Sequence, residues 1–556
     1  MPKIKLMKTI VIFYSDKNFS YADEKAFDGK SSRELSLAWA KELDLPFFTV
    51  KSATMKELFY DIHAICQREN AENLVFSYDD LPFLNVPLTK TLIASHEEYK
   101  SEYSYADGYP YGLSPEVLNA GTVGILAGLC DSTFAEEGGR AVTRTGIFDF
   151  IKKDINSFEV NSVIANDDWR LFRFSFDCGK KENFIACTRL FEALKKEPCE
   201  SADKISEIAA GIPGILKTVP GFYELQITKK VSSEELYSPY AKFWKEKFGE
   251  DVIFGAGEDS GTGAGEKSAA KDDFMPFEKA AELVEKIAAF SENAVISLSA
   301  WGEPLYHPDF VKIVEKILSY KGLSVFFETD GLFVTDQLCS ALKNIVEKAE
   351  ERTNGWQKVM IAVKLDSVTE ETYKKIHKIG GEENAENMQN AAPNATQNAS
   401  AANPAANASL NTAATSLAKL YSALGSCVYP QFVRMEENEA ELEQFFRFWN
   451  EKSNPSGGNL IIQKYNSYCG VLPDKKTADL SPIDRNVCWH LRRDMTILLN
   501  GDVPLCRCQG LNPVGNAFTE PLEQIWQKFD NEIENQLINT YCEKCRNCDE
   551  YYTFNF

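Results

Sequence analysis

Six cysteines lie close together in the C-terminal part of the 556-residue chain, three of them in the segment "YCEKCRNC" at 541–548. Gaps of two residues let neighbouring thiolates bind one metal centre from a tight loop. Six clustered free thiols without a metal would be an oxidation liability. The spacing therefore predicts a metal site, for which zinc and a 4Fe–4S cluster are equally suitable on ligand softness. The six residues are Cys488, Cys506, Cys508, Cys542, Cys545 and Cys548.

A chain reversal is predicted between the first two of these cysteines. Asn500-Gly501 stands between two apolar runs and is a strong signal for a hairpin turn. Such a hairpin would bring Cys506 back toward Cys488, on one side of a site that the later cysteines complete.

The other eight cysteines are scattered singly, mostly among apolar neighbours. This pattern is typical of small buried hydrophobic residues. They are Cys66, Cys130, Cys178, Cys187, Cys199, Cys339, Cys427 and Cys469.

The charge balance excludes several partners. The formal net charge is −22, so the surface should repel nucleic acid and anionic lipid. No apolar run approaches the ~20 residues of a membrane helix, and the apolar run near the N-terminus is too short for a signal peptide. We therefore expect a cytoplasmic protein with neither a nucleic-acid nor a membrane partner.

Alternating apolar strands and amphipathic helices predict an α/β fold with a parallel sheet, open or closed into a barrel. Functional groups should then lie at the carboxyl ends of the strands. We place domain boundaries at 1–215, 216–480 and 481–556. Two stretches, 254–273 and 382–415, are rich in small or polar residues and are predicted to be flexible insertions without chemistry.

The C-terminal pattern resembles the SPASM domain, which carries auxiliary 4Fe–4S clusters in many radical S-adenosylmethionine (SAM) enzymes. The resemblance comprises Cys488, Gly501 and Cys506 at their spacing, then "VGNAFTEPLEQIWQKF" and the late cysteines. It implies iron–sulfur rather than zinc, and the cysteine count suits one cluster. The preferred ligands are Cys488, Cys506, Cys545 and Cys548; Cys542 could replace one of the last pair, and Cys508 would be a spare thiol.

The middle domain resembles a radical SAM barrel. "SAWGEPLYHPDF" (299–310), "FETDG" (327–331) and "KLDSVTEETY" (364–373) match three successive strand-end signatures in order and spacing. The resemblance implies that Glu303 and Asp366 could hold a nucleoside-like ligand. The alternative is that both are remnants that cap strand ends.

The thiolates that such a barrel needs are missing. The family binds its catalytic cluster through Cys-x3-Cys-x2-Cys after the first barrel strand, and the aligned positions here hold Val231, Glu235 and Ser238. Trp301 also replaces the first glycine of the Gly-Gly-Glu-Pro signature. We therefore expect no radical initiation, and SAM is disfavoured as a cofactor.

The N-terminal domain resembles nucleotidyltransferases of the glycosyltransferase-A type. "NLVFSYDDLPFLNVPLTKTLIASH" (73–96) is a strand ending in aspartates, and "DDWRLFRFSFDCGKKENF" resembles a later segment of sugar-nucleotide cytidylyltransferases. The resemblance implies that Asp80 and Asp177 could bind Mg²⁺, a cation that prefers carboxylates. The Gly-rich loop that the same family uses for the triphosphate is absent after the first strand.

Taken together, the chain resembles the spiro-SPASM family. One hypothesis is a 4Fe–4S protein without radical initiation, whose cluster transfers electrons or anchors a substrate or an unknown redox or maturation partner protein. The second is a metal-dependent nucleotidyl or sugar-nucleotide transferase that uses Asp80 and Asp177, with a structural C-terminal cluster. A third is zinc held by the late cysteines in a structural knob.

Overall fold

The computed structural model describes residues 8–249, 273–378 and 408–553. The chain divides into two compact units, Met1–Thr218 and Val219–Phe556. The predicted insertion at 254–273 lies outside the described residues except for Asp273. No helix among the described residues is long and apolar enough to cross a membrane.

The first unit is built on a six-stranded mixed sheet in the order β2-β1-β3-β5-β4-β6. Its central strands are continuous apolar runs that are buried on both faces, as expected of strands covered by helices. The strand β5 runs antiparallel to both of its neighbours, and the other pairings are parallel. The strands are β1 (Thr9–Tyr14), β2 (Phe47–Val50), β3 (Asn73–Tyr78), β4 (Tyr103–Asp107), β5 (Glu116–Asn119) and β6 (Val160–Ile164).

The helices of the first unit are Ser32–Glu42, Met55–Glu69, Val86–Tyr99, Ala120–Leu129, Ala135–Gly138, Gly146–Ile151, Lys181–Lys196, Ala202–Ala210 and Pro213–Leu216, with 3-10 turns at Lys152–Ser157 and Arg170–Phe172.

The segment "LFRFSF" (171–176) has the alternating pattern of a strand but does not join this sheet. Its residues begin in the 3-10 turn Arg170–Phe172, and Ser175 forms only an isolated bridge with Tyr111. The alternating phenyl rings of Phe172, Phe174 and Phe176 stack on one another instead. The two-residue periodicity is therefore present, but the segment lacks a partner strand.

The second unit is built on a seven-stranded parallel sheet in the order β12-β11-β10-β9-β8-β7-β13. The sheet curls into a partial barrel, which confirms the predicted α/β fold class. The strands are β7 (Phe222–Leu225), β8 (Ala294–Ser297), β9 (Leu323–Thr329), β10 (Val359–Lys364), β11 (Val428–Arg434), β12 (Ile461–Lys464) and β13 (Asp494–Ile497).

The helices of the second unit are Tyr240–Phe248, Phe277–Ser291, Phe310–Leu318, Asp336–Lys348, Glu370–Ile376, Leu410–Leu424, Leu442–Trp449, Trp489–Arg493, Leu522–Gln527, Asp530–Leu537 and Glu543–Arg546, with 3-10 turns at Pro304–Tyr306, Glu439–Glu441 and Arg507–Gln509.

One of these helices begins inside the range predicted to be a flexible insertion, 382–415. Residues up to 407 lie outside the described part of the chain, but Leu410–Leu424 is helical. Ser409 caps its first turn by accepting a hydrogen bond from the Thr412 amide, and Ala413 is buried against the sheet. Composition alone missed this helix because its first turn shares the small-residue character of the insertion.

The two faces of the barrel sheet differ in character. One face packs against the helices and forms the main core of the unit. The opposite face carries an apolar layer formed by Phe222, Val295, Phe326, Met360 and Ala362. Two residues further along the strands, at their carboxyl ends, the same face carries Glu224, Glu328 and Lys364, because side chains two apart on a strand share a face.

The Asn500-Gly501 turn forms, but not as a simple hairpin. The Gly501 amide donates to the Leu498 carbonyl, and Gly501 adopts a φ of 85°, which glycine reaches without strain. The preceding strand β13 belongs to the barrel sheet. The following strand β14 (Asp502–Pro504) pairs with β15 (Pro513–Asn516) in a separate two-stranded sheet.

Candidate metal centre

Five thiols meet at the C-terminal side of the barrel sheet. Cys548 shares hydrogen bonds with the thiols of Cys469 and Cys508, which lower the pKa of the Cys548 thiol to about 2. Cys508 also shares a hydrogen bond with Cys506. Burial raises the pKa of Cys488, and the neighbouring charges of Cys506 and Cys548 raise it further. We call these five residues the thiol cluster.

Cys469 is positioned by an unusual turn after β12. Tyr468, Cys469 and Gly470 are three successive left-handed residues, with φ values of 51°, 59° and 84°. Two of them are not glycine, and such strain persists where the surrounding structure enforces it, commonly at functional sites. The Arg507 guanidinium donates to the Tyr468 hydroxyl at 2.9 Å, which ties this turn to the segment that carries Cys506 and Cys508.

The other thiols are presented by the ends of short elements. Cys488 directly precedes the helix Trp489–Arg493, and its amide donates to Gln536 Oε1. Cys506 directly precedes the 3-10 turn Arg507–Gln509, and its sulfur accepts the amide of Cys508 at 3.4 Å. The sulfur of Cys548 accepts the amide of Glu550 at 3.4 Å. Amide donors of this kind tune the potential of a thiolate-bound iron centre.

The cysteines predicted as ligands share one neighbourhood, in which Cys545 interacts electrostatically with Cys506 and Cys469. Cys488, Cys506 and Cys548 belong to the thiol cluster. Cys542 and Cys545 form a neighbouring group, and ligand atoms of these two residues and Glu532 all lie within 4.8 Å of one another. Sequence reasoning treated Cys469 as an ordinary buried thiol and missed its proximity to Cys548. In the sequence, the only local sign of an unusual backbone at Cys469 is the glycine that follows it.

Charged residues line a cavity beside Cys506 and Cys508. Burial opposes protonation of His490, but the carboxylate of Asp494, 2.6 Å away, raises the pKa of His490 to about 9. Arg507 pairs with Glu224 of β7, and Glu224 also accepts a hydrogen bond from Thr496. These charged and polar groups line the cavity together with Cys506 and Cys508 of the thiol cluster.

An ion pair lies where the radical SAM resemblance implies a cluster-binding cysteine. Lys364 Nζ at the end of β10 is 3.0 Å from Glu235 Oε1. Burial alone would lower the pKa of Lys364, but the carboxylates of Glu235, Glu328 and Glu303 raise it. Val231 and Ser238 offer an alkyl group and a hydroxyl. None of these three positions supplies a thiolate, so their donor set does not fit a catalytic cluster.

Glu303 is buried and its carboxylate is used by the protein. Oε1 accepts from the Leu305 amide and the Thr329 hydroxyl, and Oε2 accepts from the Asp330 amide. Burial, with the neighbouring charge of Asp330, raises the pKa of Glu303 to about 8. These contacts hold Glu303 to the end of β9 and to the 3-10 turn that follows Glu303.

Asp366 is also fully buried and lies two residues after the end of β10. Its Oδ1 accepts from the Val433 amide at 2.7 Å, and its Oδ2 accepts from the Tyr237 hydroxyl at 2.9 Å. His377 Nε2 lies 3.3 Å from the same Oδ2. Glu303 and Asp366 therefore both bind neighbouring backbone and side chains at the mouth of the barrel.

An aromatic plug fills the barrel mouth and is formed by Tyr240, Phe243, Trp301 and Tyr468. The rings of Tyr240 and Trp301 are parallel with centroids 6.0 Å apart, and Phe243 and Tyr468 pack against the same indole. Trp301 has a φ of 58°, a left-handed conformation that the glycine of the family signature would adopt at little cost. The same hydrophobic cluster contains Cys508, and Cys469 and Cys506 pack against it.

The two aspartates proposed to bind Mg²⁺ do lie together in the first unit, but an arginine joins them. Arg144 binds Asp80 with both terminal nitrogens, at 3.0 and 2.6 Å, and reaches Asp177 Oδ1 at 3.3 Å. The guanidinium lies over the rings of Phe19 and Tyr78. Burial raises the pKa of Asp80 to about 6 against the opposing effect of Arg144. The arginine supplies the positive charge that a cation would otherwise supply.

Two family models match the second unit. Residues 248–396 match the radical SAM superfamily, and residues 488–549 match SPASM, an iron–sulfur cluster-binding domain. The chain therefore contains a radical SAM domain and a SPASM domain, of which the second is an iron–sulfur cluster-binding domain. The radical SAM match begins C-terminal to the positions of Val231, Glu235 and Ser238.

One relative in sequence shows a family to which the chain belongs. An uncharacterized protein of Treponema pallidum (strain Nichols) is 34% identical over 422 residues, which make up 74% of this chain and 98% of that protein. The chain belongs to the same family as this protein. A second uncharacterized protein of the same organism is 48% identical over 50 residues, or 9% of this chain and 23% of that protein.

Solved structures give distant similarities. Streptococcus suis SuiB bound to its precursor peptide SuiA is 13% identical, with 73% of this chain and 83% of SuiB covered at a TM-score of 0.38. A cytidylyltransferase from Leptospira borgpetersenii serovar Hardjo-bovis (strain JB197) is 13% identical, with 38% of this chain and 97% of that chain covered at a TM-score of 0.31. The radical SAM and SPASM domains are identified by the two family models and not by these distant similarities.

Proposed function

We propose that this protein carries a single 4Fe–4S cluster on Cys469, Cys488, Cys506 and Cys548, and that it generates no 5′-deoxyadenosyl radical. The cluster would serve electron transfer, or would anchor a substrate or a redox or maturation partner protein. The convergence of the thiol cluster carries the proposal, because four thiolates with amide donors are the donor set of such a centre. When bound, a cluster of this type exchanges single electrons.

The contacts of each sulfur support this ligand set. Cys548 contacts Cys469, and Cys488 is influenced by the charges of Cys506 and Cys548. Cys506, not Cys508, stands at the spacing after Gly501 that the SPASM resemblance implies. Cys508 accepts the Asn466 amide at its sulfur and remains our spare thiol.

Three features of the barrel support the absence of radical initiation. The positions of Val231, Glu235 and Ser238 offer no thiolate. The Glu235–Lys364 ion pair neutralises the same region, and the aromatic plug fills the barrel mouth. Glu303 and Asp366 act here as structural residues that hold strand ends in register. The barrel would thus be a rigid support for the thiol cluster.

The alternative of a Mg²⁺-dependent nucleotidyltransferase has less support. Asp80 and Asp177 are adjacent, as that function requires, but Arg144 binds both carboxylates. The loop after β1 lacks the glycines that would let backbone amides approach a triphosphate. We infer that the first unit works without a divalent cation.

The test combines product analysis and spectroscopy on the full chain. Protein purified without oxygen is reduced with dithionite and mixed with SAM. We expect no 5′-deoxyadenosine by mass spectrometry and an electron paramagnetic resonance spectrum that SAM leaves unchanged. The Cys506→Ala/Cys548→Ala variant should lose that spectrum. Formation of 5′-deoxyadenosine, or a spectral change on adding SAM, would contradict the proposal.

A further inference from the structure

A row of aromatic rings leads away from the thiol cluster. Tyr468 is the chain neighbour of Cys469, and its ring centroid lies 5.6 Å from that of Trp301. The Trp301 indole is stacked on Tyr240 at 6.0 Å, and Tyr240 lies 5.7 Å from Trp244. The first three of these aromatic side chains are buried, whereas Trp244 is partly exposed. The row therefore connects a proposed cluster ligand to the protein surface.

Trp244 lies on a positively charged helix, although the formal net charge of the chain is −22. The helix is Tyr240–Phe248, and its charged residues are Lys242, Lys245, Glu246 and Lys247. Lys242 and Lys245 are exposed, whereas Lys247 pairs with Asp502. The two exposed lysines outnumber the exposed glutamate, so the outer side of the helix carries a net positive charge.

Two further lysines extend this positive charge. Lys229 Nζ lies 5.8 Å from the centre of the Trp244 ring. Lys229 and Lys230 both pair with the carboxylate of Asp273, at 2.7 and 3.7 Å. One carboxylate shared by two lysines leaves a positive charge beside the indole. We call these two residues, with Lys242 and Lys245, the lysine surface.

We propose that the lysine surface docks an acidic one-electron carrier protein, and that the aromatic row conducts an electron between this carrier and the 4Fe–4S cluster. The inference rests on the proposed cluster and its electron-transfer role. In the transfer the reduced carrier loses one electron and the cluster gains it, and no bond forms or breaks. The rings are neither oxidised nor reduced. They fill the path with packed atoms, across which an electron tunnels more readily than across a gap.

The acidic character of the carrier follows from charge complementarity. Because the chain as a whole is strongly acidic, it should repel an acidic protein except where lysines are concentrated. A basic carrier would be attracted to many parts of the surface and would gain nothing by docking beside Trp244. Opposite charges also give a fast and salt-sensitive encounter, which suits a transient electron-transfer complex.

The experiment follows reduction of the cluster in the anaerobically prepared full chain, by rapid freezing and electron paramagnetic resonance. The probe is an excess of a reduced plant-type 2Fe–2S ferredoxin with an acidic surface, whose spectrum differs from that of a 4Fe–4S cluster. The methyl viologen radical, a small reductant that needs no docking surface, is the control reductant. Reduction by methyl viologen also shows that a variant is folded and holds its cluster.

We expect ferredoxin to reduce the wild type at a rate that falls with added salt. The rate constant should be about tenfold lower or less in Lys242→Glu/Lys245→Glu. The exposed pair Lys343→Glu/Lys348→Glu makes the same change in net charge and should retain the wild-type rate. Trp244→Ala should slow the transfer at saturating ferredoxin without raising the half-saturating concentration. Methyl viologen should reduce all four proteins equally fast.

Three results would overturn the inference. The first is an equal ferredoxin rate in the lysine-surface and control variants, and the second is unchanged transfer in Trp244→Ala. The third is no reduction of the wild type by ferredoxin while methyl viologen still reduces it. If reduction by ferredoxin then appears on deleting residues 252–270, the lysine surface belongs to that acidic segment of the chain. A wild type without a cluster signal under methyl viologen is a separate outcome, which contradicts the proposed function itself.

Discussion

Lys364 Nζ lies 3.0 Å from Glu235 Oε1, so an ion pair stands in the barrel where the radical SAM resemblance implies a thiolate. Both side chains are largely buried, at 16% and 12% exposure. Buried ion pairs of this kind contribute modestly as a pair but are costly to break from one side. Removing either partner alone should therefore destabilise the barrel.

Replacing Lys364 by methionine should destabilise the second unit by about 3–5 kcal/mol, because Glu235 and the nearby Glu328 would be left without their cation. The double variant Lys364→Met/Glu235→Gln should recover part of this loss. Urea unfolding measures both, with the exposed Lys343→Met as the control. Equal stability of Lys364→Met and the control would show that the pair has no structural role.

Cys469→Ala should lose the iron and sulfide of the cluster as completely as Cys506→Ala does. The reason is that Cys469 contacts Cys548 within the thiol cluster. Cys508→Ala and Cys199→Ala, the latter in the first unit, should retain both elements. Iron and sulfide analysis of the four variants decides the ligand set. Full retention in Cys469→Ala combined with loss in Cys508→Ala would assign the fourth ligand to Cys508.

Arg144→Ala should have two effects on the first unit. Removing the guanidinium leaves the buried Asp80 and Asp177 unpaired, at a cost of about 3–5 kcal/mol. The same change opens a carboxylate pair to a divalent cation, so Mg²⁺ should restore part of the stability and Mn²⁺ should bind in a paramagnetic resonance titration. Wild type and the exposed Arg140→Ala should show neither response. Mn²⁺ binding by the wild type that Asp80→Ala abolishes would contradict this account.

The contribution of His96 to the stability of the first unit should fall as the pH drops from about 6.5 to 4. Burial lowers the pKa of His96 to about 4, and its Nδ1 contacts the Ser104 hydroxyl. The unfolded chain therefore takes up a proton before the folded chain does, and the loss amounts to at most about 3 kcal/mol.

Calorimetric unfolding across this pH range provides the measurement for His96. Relative to the wild type, His96→Gln should gain stability as the pH falls through this range, whereas His63→Gln, at a partly exposed position, should follow the wild-type pH dependence. A pH profile that His96→Gln leaves unchanged would show that other groups cause the acid sensitivity.

The features that the sequence predicts correctly depend on residues that are close together along the chain. Buried apolar runs such as β1 and β9 identified the α/β class, and the spacing around Cys506 and Cys545 identified a metal-binding C-terminus. The Asn500-Gly501 turn was also correct as a turn. Its strands separate into two sheets because β13 pairs with β7, whose sequence lies far upstream.

What sequence could not predict depends on distant contacts. Cys469 has no motif spacing to the late cysteines and reaches Cys548 only through a left-handed turn. Arg144 lies 64 residues from Asp80 along the chain, so its place between two aspartates follows from the fold. Glu532 resembles any acidic helix residue until its burial beside Cys542 and Cys545 is known.

The most direct test of the central claim is the iron and sulfide content of the anaerobically purified wild type and of Cys506→Ala/Cys548→Ala. We predict about four irons and four sulfides per wild-type chain, both lost in the double variant, as one cluster on the thiol cluster requires. About eight of each, half of them surviving in the double variant, would place a cluster in the barrel and contradict the account. Zinc without sulfide at the thiol cluster would contradict it as well.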